Sequence, residues 1–200
     1  GNDYIYVDCT NGTKIKNVSE VTKKLSDRHF GIGADGLILI DKSENEDADF
    51  KMRIFNSDGS EAEMCGNGIR CVAKYIHDNK LFDKDKISIE TLAGIKKVKL
   101  LEEPTGDCNE VIVDMGEPLF QDNNIPYDVF EAFNKDLDLD VKDGKMRFTV
   151  VSMGNPHAIT FVEDVNNIDI TSYGPEVENN PVFPNRTNVE FVQIIDKNNI

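Results

Sequence analysis

The 200-residue sequence predicts an α+β fold built as two sheet-rich lobes. Three observations predict it. Short runs of alternating or β-branched residues recur from Tyr4–Asp8 to Val189–Ile195. Two stretches carry a helical apolar stripe: Val18, Val21 and Leu25 in one, and Ile69, Val72, Ala73 and Ile76 in the other. Gly116-Glu117-Pro118 then opens a Pro- and Asn-rich passage to Pro126, dividing an expected first lobe, 1–116, from a second, 117–200.

Taken in order, Tyr4 to Asp8 alternates as a strand, and Asn11-Gly12 is a tight-turn pair. Asn17 with Glu20 three residues on approximates a capping box, opening a helix to about Arg28. The glycines of His29-Phe30-Gly31-Ile32-Gly33-Ala34-Asp35-Gly36 resemble a phosphate loop. Such loops lead from strand to helix, whereas this one leads into the apolar strand Leu37 to Ile40, so nucleotide binding is not expected. Lys51 to Phe55 is a strand. Lys86 to Thr91 and Ile95 to Leu101 form a hairpin about Ala93-Gly94, and Glu110 to Met115 follows the turn Glu103–Asp107. Residues 127 to 144 are acidic and weakly patterned. Phe148 to Met153 and Ala158 to Val162 are strands flanking Gly154-Asn155-Pro156-His157. Gly174-Pro175 marks a turn or helix start, and the polar loop Pro184–Asn188 precedes the last strand.

A net charge of −15 argues against a general nucleic-acid binder, which needs clustered Lys and Arg. The acidic run Asp41–Asp47 reads as a solvated loop rather than a metal site. No run approaches the roughly 18 apolar residues that cross a bilayer. The four cysteines, Cys9, Cys65, Cys71 and Cys108, show no C-x-x-C spacing, so structural zinc is not expected. Free thiols in a reducing, cytoplasmic setting are expected instead.

One stretch, Phe55 to Ile76, organises the rest. A strand end passes through Asn56-Ser57-Asp58-Gly59-Ser60 to Cys65, and Gly66-Asn67-Gly68 then opens the second helix, with Cys71 and Tyr75 extending its apolar character onto the flanks. A thiol at a helix start meets unpaired N–H groups and the positive dipole end, both of which favour thiolate. Glycines there let a ligand approach the backbone, so the segment is a candidate carboxylate cradle beside a reactive sulfur. The other reading of the same residues is a packed structural cysteine before a Gly-rich turn.

The segments Gly1–Asp3, Arg28–Leu37, Phe55–Cys71, Met115–Pro118, Ser152–His157 and Asn185–Phe191 together resemble diaminopimelate epimerase, with MCGNG-I-RC the strongest piece. Proline racemase shares a Met-Cys-Gly element but resembles the remainder poorly. The resemblance implies two similar lobes, each a mixed β-barrel-like sheet around a central helix, with substrate in the cleft between them. It implies a pyridoxal-independent, cofactor-free isomerase of bacterial lysine and peptidoglycan synthesis, interconverting LL- and meso-diaminopimelate with two cysteines as acid and base. Carried over by position, Cys65 is the first-lobe catalytic cysteine. Gly66 and Asn67 are backbone donors to the α-carboxylate. Asn2, Asn56, Asn155 and Asn188 bind substrate polar groups, and His157 polarises a thiol. The partners implied are the small-molecule substrate, with a homodimer left open, and neither nucleic acid nor membrane.

Two departures stand out. The family's second Cys-Gly-x-Gly motif and its adjoining Glu-Arg pair have no counterpart here. Cys71 is no substitute: six residues of helix turn it by about 600°, onto another face. The expectation is therefore a fragment trimmed at both ends, its second lobe incomplete and by itself inactive. The alternatives are a non-catalytic ligand-binding fragment or a same-fold isomerase of another substrate.

Overall fold

The computed structural model describes residues 1–119 and 136–200, and the chain divides into two compact units, Gly1–Gly116 and Glu117–Ile200. The first unit comprises β1 (Tyr4–Asp8), α1 (Val18–Ser26), β2 (Gly36–Lys42), β3 (Phe50–Asn56), β4 (Glu61–Ala62), α2 (Gly66–Asp78), β5 (Lys86–Thr91), β6 (Gly94–Glu102) and β7 (Cys108–Asp114). These strands form one seven-stranded mixed sheet in the order β1-β2-β3-β5-β6-β7, with β4 paired to β3. β1–β2 and β3–β5 are parallel; the other pairs are antiparallel.

The sheet curves around α2. Ile69, Val72, Ala73 and Ile76 are fully buried against Ile38 and Ile40 of β2, Met52 and Ile54 of β3, Ile87 and Ile89 of β5, and Val98 and Leu100 of β6. Each buried Ile is worth about 1.5–3 kcal/mol, so this face holds the helix more firmly than any end cap, worth about 1 kcal/mol. Apolar character at Cys71 and Tyr75 led us to expect burial on more than one side of α2, but Cys71 is exposed and Tyr75 only half-buried.

The other face of the sheet carries α1, which packs with Leu37, Leu39, Phe55 and Cys9. β2 therefore lies between two layers, and its continuous apolar run follows from that. Asn17 does not act as a side-chain cap. Its backbone is left-handed (φ 51°, ψ 49°), and only its carbonyl engages the helix, accepting from Val21 N–H at 3.0 Å. α1 ends at Ser26, before Arg28, because the glycine-rich stretch turns back over its carbonyls. The N–H groups of Ile32 and Gly33 donate to Leu25 O at 2.9 Å each, and Ala34 N–H to Ser26 O at 3.1 Å.

The second unit holds β8 (Asp136–Val141), β9 (Gly144–Ser152), β10 (Pro156–Phe161), α3 (Ile170–Glu178) and β11 (Asn188–Val192), the sheet running β11-β10-β9-β8. Its core is Leu139, Phe148, Val150, Ala158, Val177 and Phe183. Part of the weakly patterned stretch is thus a strand: in DLDLDV the Leu and Val residues turn to the core and the acids to solvent. Residues 127–135 of that stretch, and 120–126 of the Pro- and Asn-rich passage, lie outside the described residues. Helix α3 runs through Gly174-Pro175, nucleated by Asp169, whose carboxylate accepts from Ser172 N–H at 3.2 Å, and anchored by buried Val177. Among the described residues no helix is long and apolar enough to cross a membrane.

The N-terminal residues are tied to the start of β2 by charge. Arg28 donates to both carboxylate oxygens of Asp3, at 2.8 and 3.0 Å, and to Asp35 at 2.9 Å. Asp35 N–H donates to Asp3 O at 2.9 Å. The hydrogen bonds from Arg28 above all, with its charge and with the Asp35 N–H that also donates to Asp3 Oδ1 at 3.3 Å, hold the Asp3 carboxyl down at about 2.

Two predictions follow from this packing. At Gly36 an added Cβ would stand 2.1 Å from Phe55 O, a rigid backbone atom. Gly36→Ala should therefore destabilise the first unit by on the order of 3 kcal/mol, seen as an earlier denaturant midpoint. An unchanged midpoint would contradict the close approach. For Asp3, a depressed carboxyl contributes stability above its ordinary value of 3.8 and loses it as pH falls towards about 2. The melting-temperature gap between wild type and Arg28→Gln should thus be full at neutral pH and narrow across that acid window. A gap that stays constant down to the acid end would exclude the pairing.

Candidate active site

Cys65 is the N-cap of α2, with extended backbone (φ −141°, ψ 110°), and its Sγ accepts from Gly68 N–H at 3.4 Å. Sulfur is a weak acceptor, and Ser, Thr, Asp or Asn would cap this helix better. The sequence places a poor cap where the local rule asks for a good one, a departure characteristic of functional positions. Cys65 is half-buried, Cys71 exposed, and Cys9 and Cys108 buried; all four thiols are free.

The helix start leaves the N–H groups of Gly66 and Asn67 without intrahelical partners, beside the sulfur. An added Cβ at Gly66 would meet only Met115 Cε, at 3.9 Å, so the backbone there is open to approach. Asn67 is fixed from two sides. Its Nδ2 donates to Asn2 Oδ1 at 2.8 Å, and its Oδ1 accepts from Arg70, whose Nε also donates to Gly66 O at 3.3 Å. Asn2 in turn donates to Asp35 Oδ2 at 3.3 Å. A continuous polar chain therefore runs Arg28–Asp35–Asn2–Asn67–Arg70. Asn56 sits where β3 ends, opposite Gly36 in the ladder, its Nδ2 donating to Ser60 Oγ at 3.1 Å. Tyr4 packs in the same cluster as Cys65, and burial, then the Cys65 sulfur, pushes its phenol well above the ordinary range.

In the second unit, Asn155, His157 and Asn188 come together across β10 and β11. His157 and Asn188 are register partners, and Asn188 Nδ2 donates to Pro156 O at 3.0 Å. His157 Nε2 lies 3.2 Å from Asn155 Oδ1, and its Nδ1 lies 2.7 Å from Glu190 Oε1. The structure thus gathers Cys65, Gly66, Asn67 and Asn2 at one helix start, with Asn56 at a nearby strand end, and Asn155, His157 and Asn188 at one strand pair.

Sequence reasoning missed Arg70, Asp35 and Glu190. Arg70 was findable, since it stands three and four residues after Asn67 and Gly66 on one helix face. Glu190 shares a strand face with Asn188 by the period of two, but its approach to His157 needs the β10–β11 pairing. Among the described residues no group of three His, Cys, Asp or Glu side chains is placed as metal ligands.

A family model described as diaminopimelate epimerase matches residues 1–121 and 149–200. The diaminopimelate epimerase of Acetivibrio thermocellus is 51% identical over 197 residues, 98% of this chain and 69% of its own length. That of Methanococcus maripaludis is 54% identical over 200 residues, 100% of this chain and 71% of its own length, so the resemblance is not confined to bacteria. Among solved structures, a probable proline racemase from Agrobacterium radiobacter K84 shares the fold at TM-score 0.62 and 16% identity, over 93% of this chain and 61% of that one. A Bacillus anthracis phenazine biosynthesis protein of the PhzF family does so at TM-score 0.56 and 21% identity, over 98% and 63%. With its own sheet wrapped around a Cys-capped helix and half its residues shared with these relatives, the chain belongs to the diaminopimelate epimerase family of amino-acid isomerases.

Proposed function

We propose that the chain acts in the interconversion of LL- and meso-diaminopimelate by proton transfer at Cα without pyridoxal, on the route to lysine and peptidoglycan, with Cys65 as one acid–base group. The observation that carries this reading is the placement of Cys65 as cap of α2, its sulfur beside the open amides of Gly66 and Asn67.

The chemistry explains the arrangement. An amino-acid Cα–H is very weakly acidic, so removing it requires both a base and stabilisation of the charge that moves onto the carboxylate. Cys65 supplies the base. The amides of Gly66 and Asn67, at the positive end of a helix of 13 residues, are aimed at an α-carboxylate and its developing charge. One such donor is typically worth about 10²–10³ in rate. Asn2 and Asn56 are the polar partners of the substrate on this unit, with Arg70 and Asp35 holding Asn67 and Asn2 in place. On the second unit Asn155 and Asn188 take the same role, and His157 polarises a thiol.

Inversion needs a second group on the opposite face of Cα. The burial of Cys9 and Cys108, and the place of Cys71 on an exposed helix flank, argue against these three. The second group is then the family's other cysteine, which is not among the four. The four free thiols support a reducing cellular setting.

Activity and stability should separate at Cys65. In protein carrying both acid–base groups, Cys65→Ser should lose turnover in both directions by about 10²–10⁴-fold or more, with substrate affinity little changed. Its stability should hold or rise by up to about 1 kcal/mol, because Ser is the better cap, read as an unchanged or higher melting temperature. Cys71→Ser, on the exposed flank, should stay within about 0.5 kcal/mol and keep its turnover. Retained turnover in Cys65→Ser would exclude the assignment. The 200 residues alone, holding one such group, should show no inversion of LL-diaminopimelate in D₂O above background. Deuterium incorporation with clear inversion would show that one cysteine suffices.

A further inference from the structure

We propose that Glu190 is a positioning residue for His157: its carboxylate fixes the imidazole hydrogen on Nδ1 and so presents Nε2 as the nitrogen that meets a thiol. The proposal deepens the role given to His157 above and rests on that reading for its catalytic meaning.

Three observations carry it. Glu190 Oε1 lies 2.7 Å from His157 Nδ1, a short distance for a nitrogen–oxygen pair and in the range of charge-assisted bonds. A carboxylate offers only acceptors, so the ring nitrogen facing it must carry the hydrogen. The second oxygen, Oε2, is buried and has no hydrogen-bond partner among the described residues. The carboxylate therefore makes its one side-chain bond to the ring, and losing it would leave a desolvated acceptor unmet. Finally, the strands enforce the meeting. His157 pairs with Asn188 and Ile159 with Glu190 in the parallel β10–β11 ladder, so His157 and Glu190 are diagonal neighbours on one face.

At the other end of the ring, Asn155 Oδ1 stands 3.2 Å from Nε2, the acceptor end that suits a protonated nitrogen; turned over, the amide presents Nδ2 to a neutral one. It thus accommodates both states of that nitrogen. With Nδ1 committed to Glu190, only Nε2 gains and loses a hydrogen. This is the division of labour by which a carboxylate sets the tautomer of a working histidine.

The test reads the ring and not turnover, so failure of the epimerase reading and failure of this proposal are distinguishable. With ¹⁵N-histidine in the chain, two-bond ¹H–¹⁵N correlations report which nitrogen carries hydrogen for each of the three histidines, and His157→Gln assigns the signal. The spectra are read at alkaline pH, where the ring signals have stopped moving with pH, so that the ring is neutral and the tautomer can be read. His157 should show hydrogen on Nδ1 in the wild type. Glu190→Gln should keep that pattern, since its amide oxygen still accepts. Glu190→Ala should exchange the two nitrogen signals, giving the Nε2–H form that free imidazole side chains favour, and Glu190→Leu should do the same should Ala disturb β11. Hydrogen on Nε2 in the wild type, or an unaltered Nδ1–H pattern in a folded Ala or Leu variant, would overturn the proposal.

Discussion

The first unit depends on the burial of one helix inside one curved sheet. Ile69, Val72, Ala73 and Ile76 lose all exposure to water against β2, β3, β5 and β6. That apolar contact is worth several times more than any terminal hydrogen bond of the helix. It fixes the axis and rotation of α2, and so fixes where the helix begins. The amides of Gly66 and Asn67 and the sulfur of Cys65 are then placed by the core rather than by their own weak contacts. A single 3.4 Å N–H to sulfur bond could not hold that geometry alone.

The same economy of placement governs the chain leading to the site. β2 is buried on both faces, with Ile38 and Ile40 towards α2 and Leu37 and Leu39 towards α1. Its entry at Gly36 leaves no room for a side chain against Phe55 O. The glycines ahead of it close the end of α1 through backbone hydrogen bonds, and Arg28 and Asp35 then tie down Asn2 and Asp3. What resembles a ligand loop in the sequence is a helix terminus, strand entry and polar anchor in one segment.

In the second unit the arrangement is a matter of strand register. The parallel pairing of β10 with β11 sets His157 beside Asn188 and within reach of Glu190, while the turn before β10 brings Asn155 to the other ring nitrogen. His157, Asn188 and Glu190 come from strands whose alternate residues face the core, such as Ala158 against Val150 and Phe148. The apolar alternation sends these polar side chains to the other face, and the ladder decides which of them meet.

Local periodicity and turn chemistry were sufficient for some elements. Tyr4–Asp8 and Lys86–Thr91 were legible residue for residue, because alternation with β-branched residues is a property of the segment itself. The helix after Cys65, and the Gly-Asn-Gly that opens it, were legible for the same reason. Where propensities conflict, neighbours decided: α3 runs through Gly174-Pro175 because Asp169 caps it and Val177 has a core to enter. Asn17 turned left-handed instead of capping, and DLDLDV became a strand once β9 gave it a partner. The sequence by itself determined the family and the strand–turn–helix around Cys65, since both reside in contiguous residues. Only the tertiary structure decided that Asn2 meets Asn67 across 65 residues, and that Glu190 meets His157 across 33. Those meetings are set by sheet order and register, and a hydrogen bond between distant residues leaves no periodic trace in either segment.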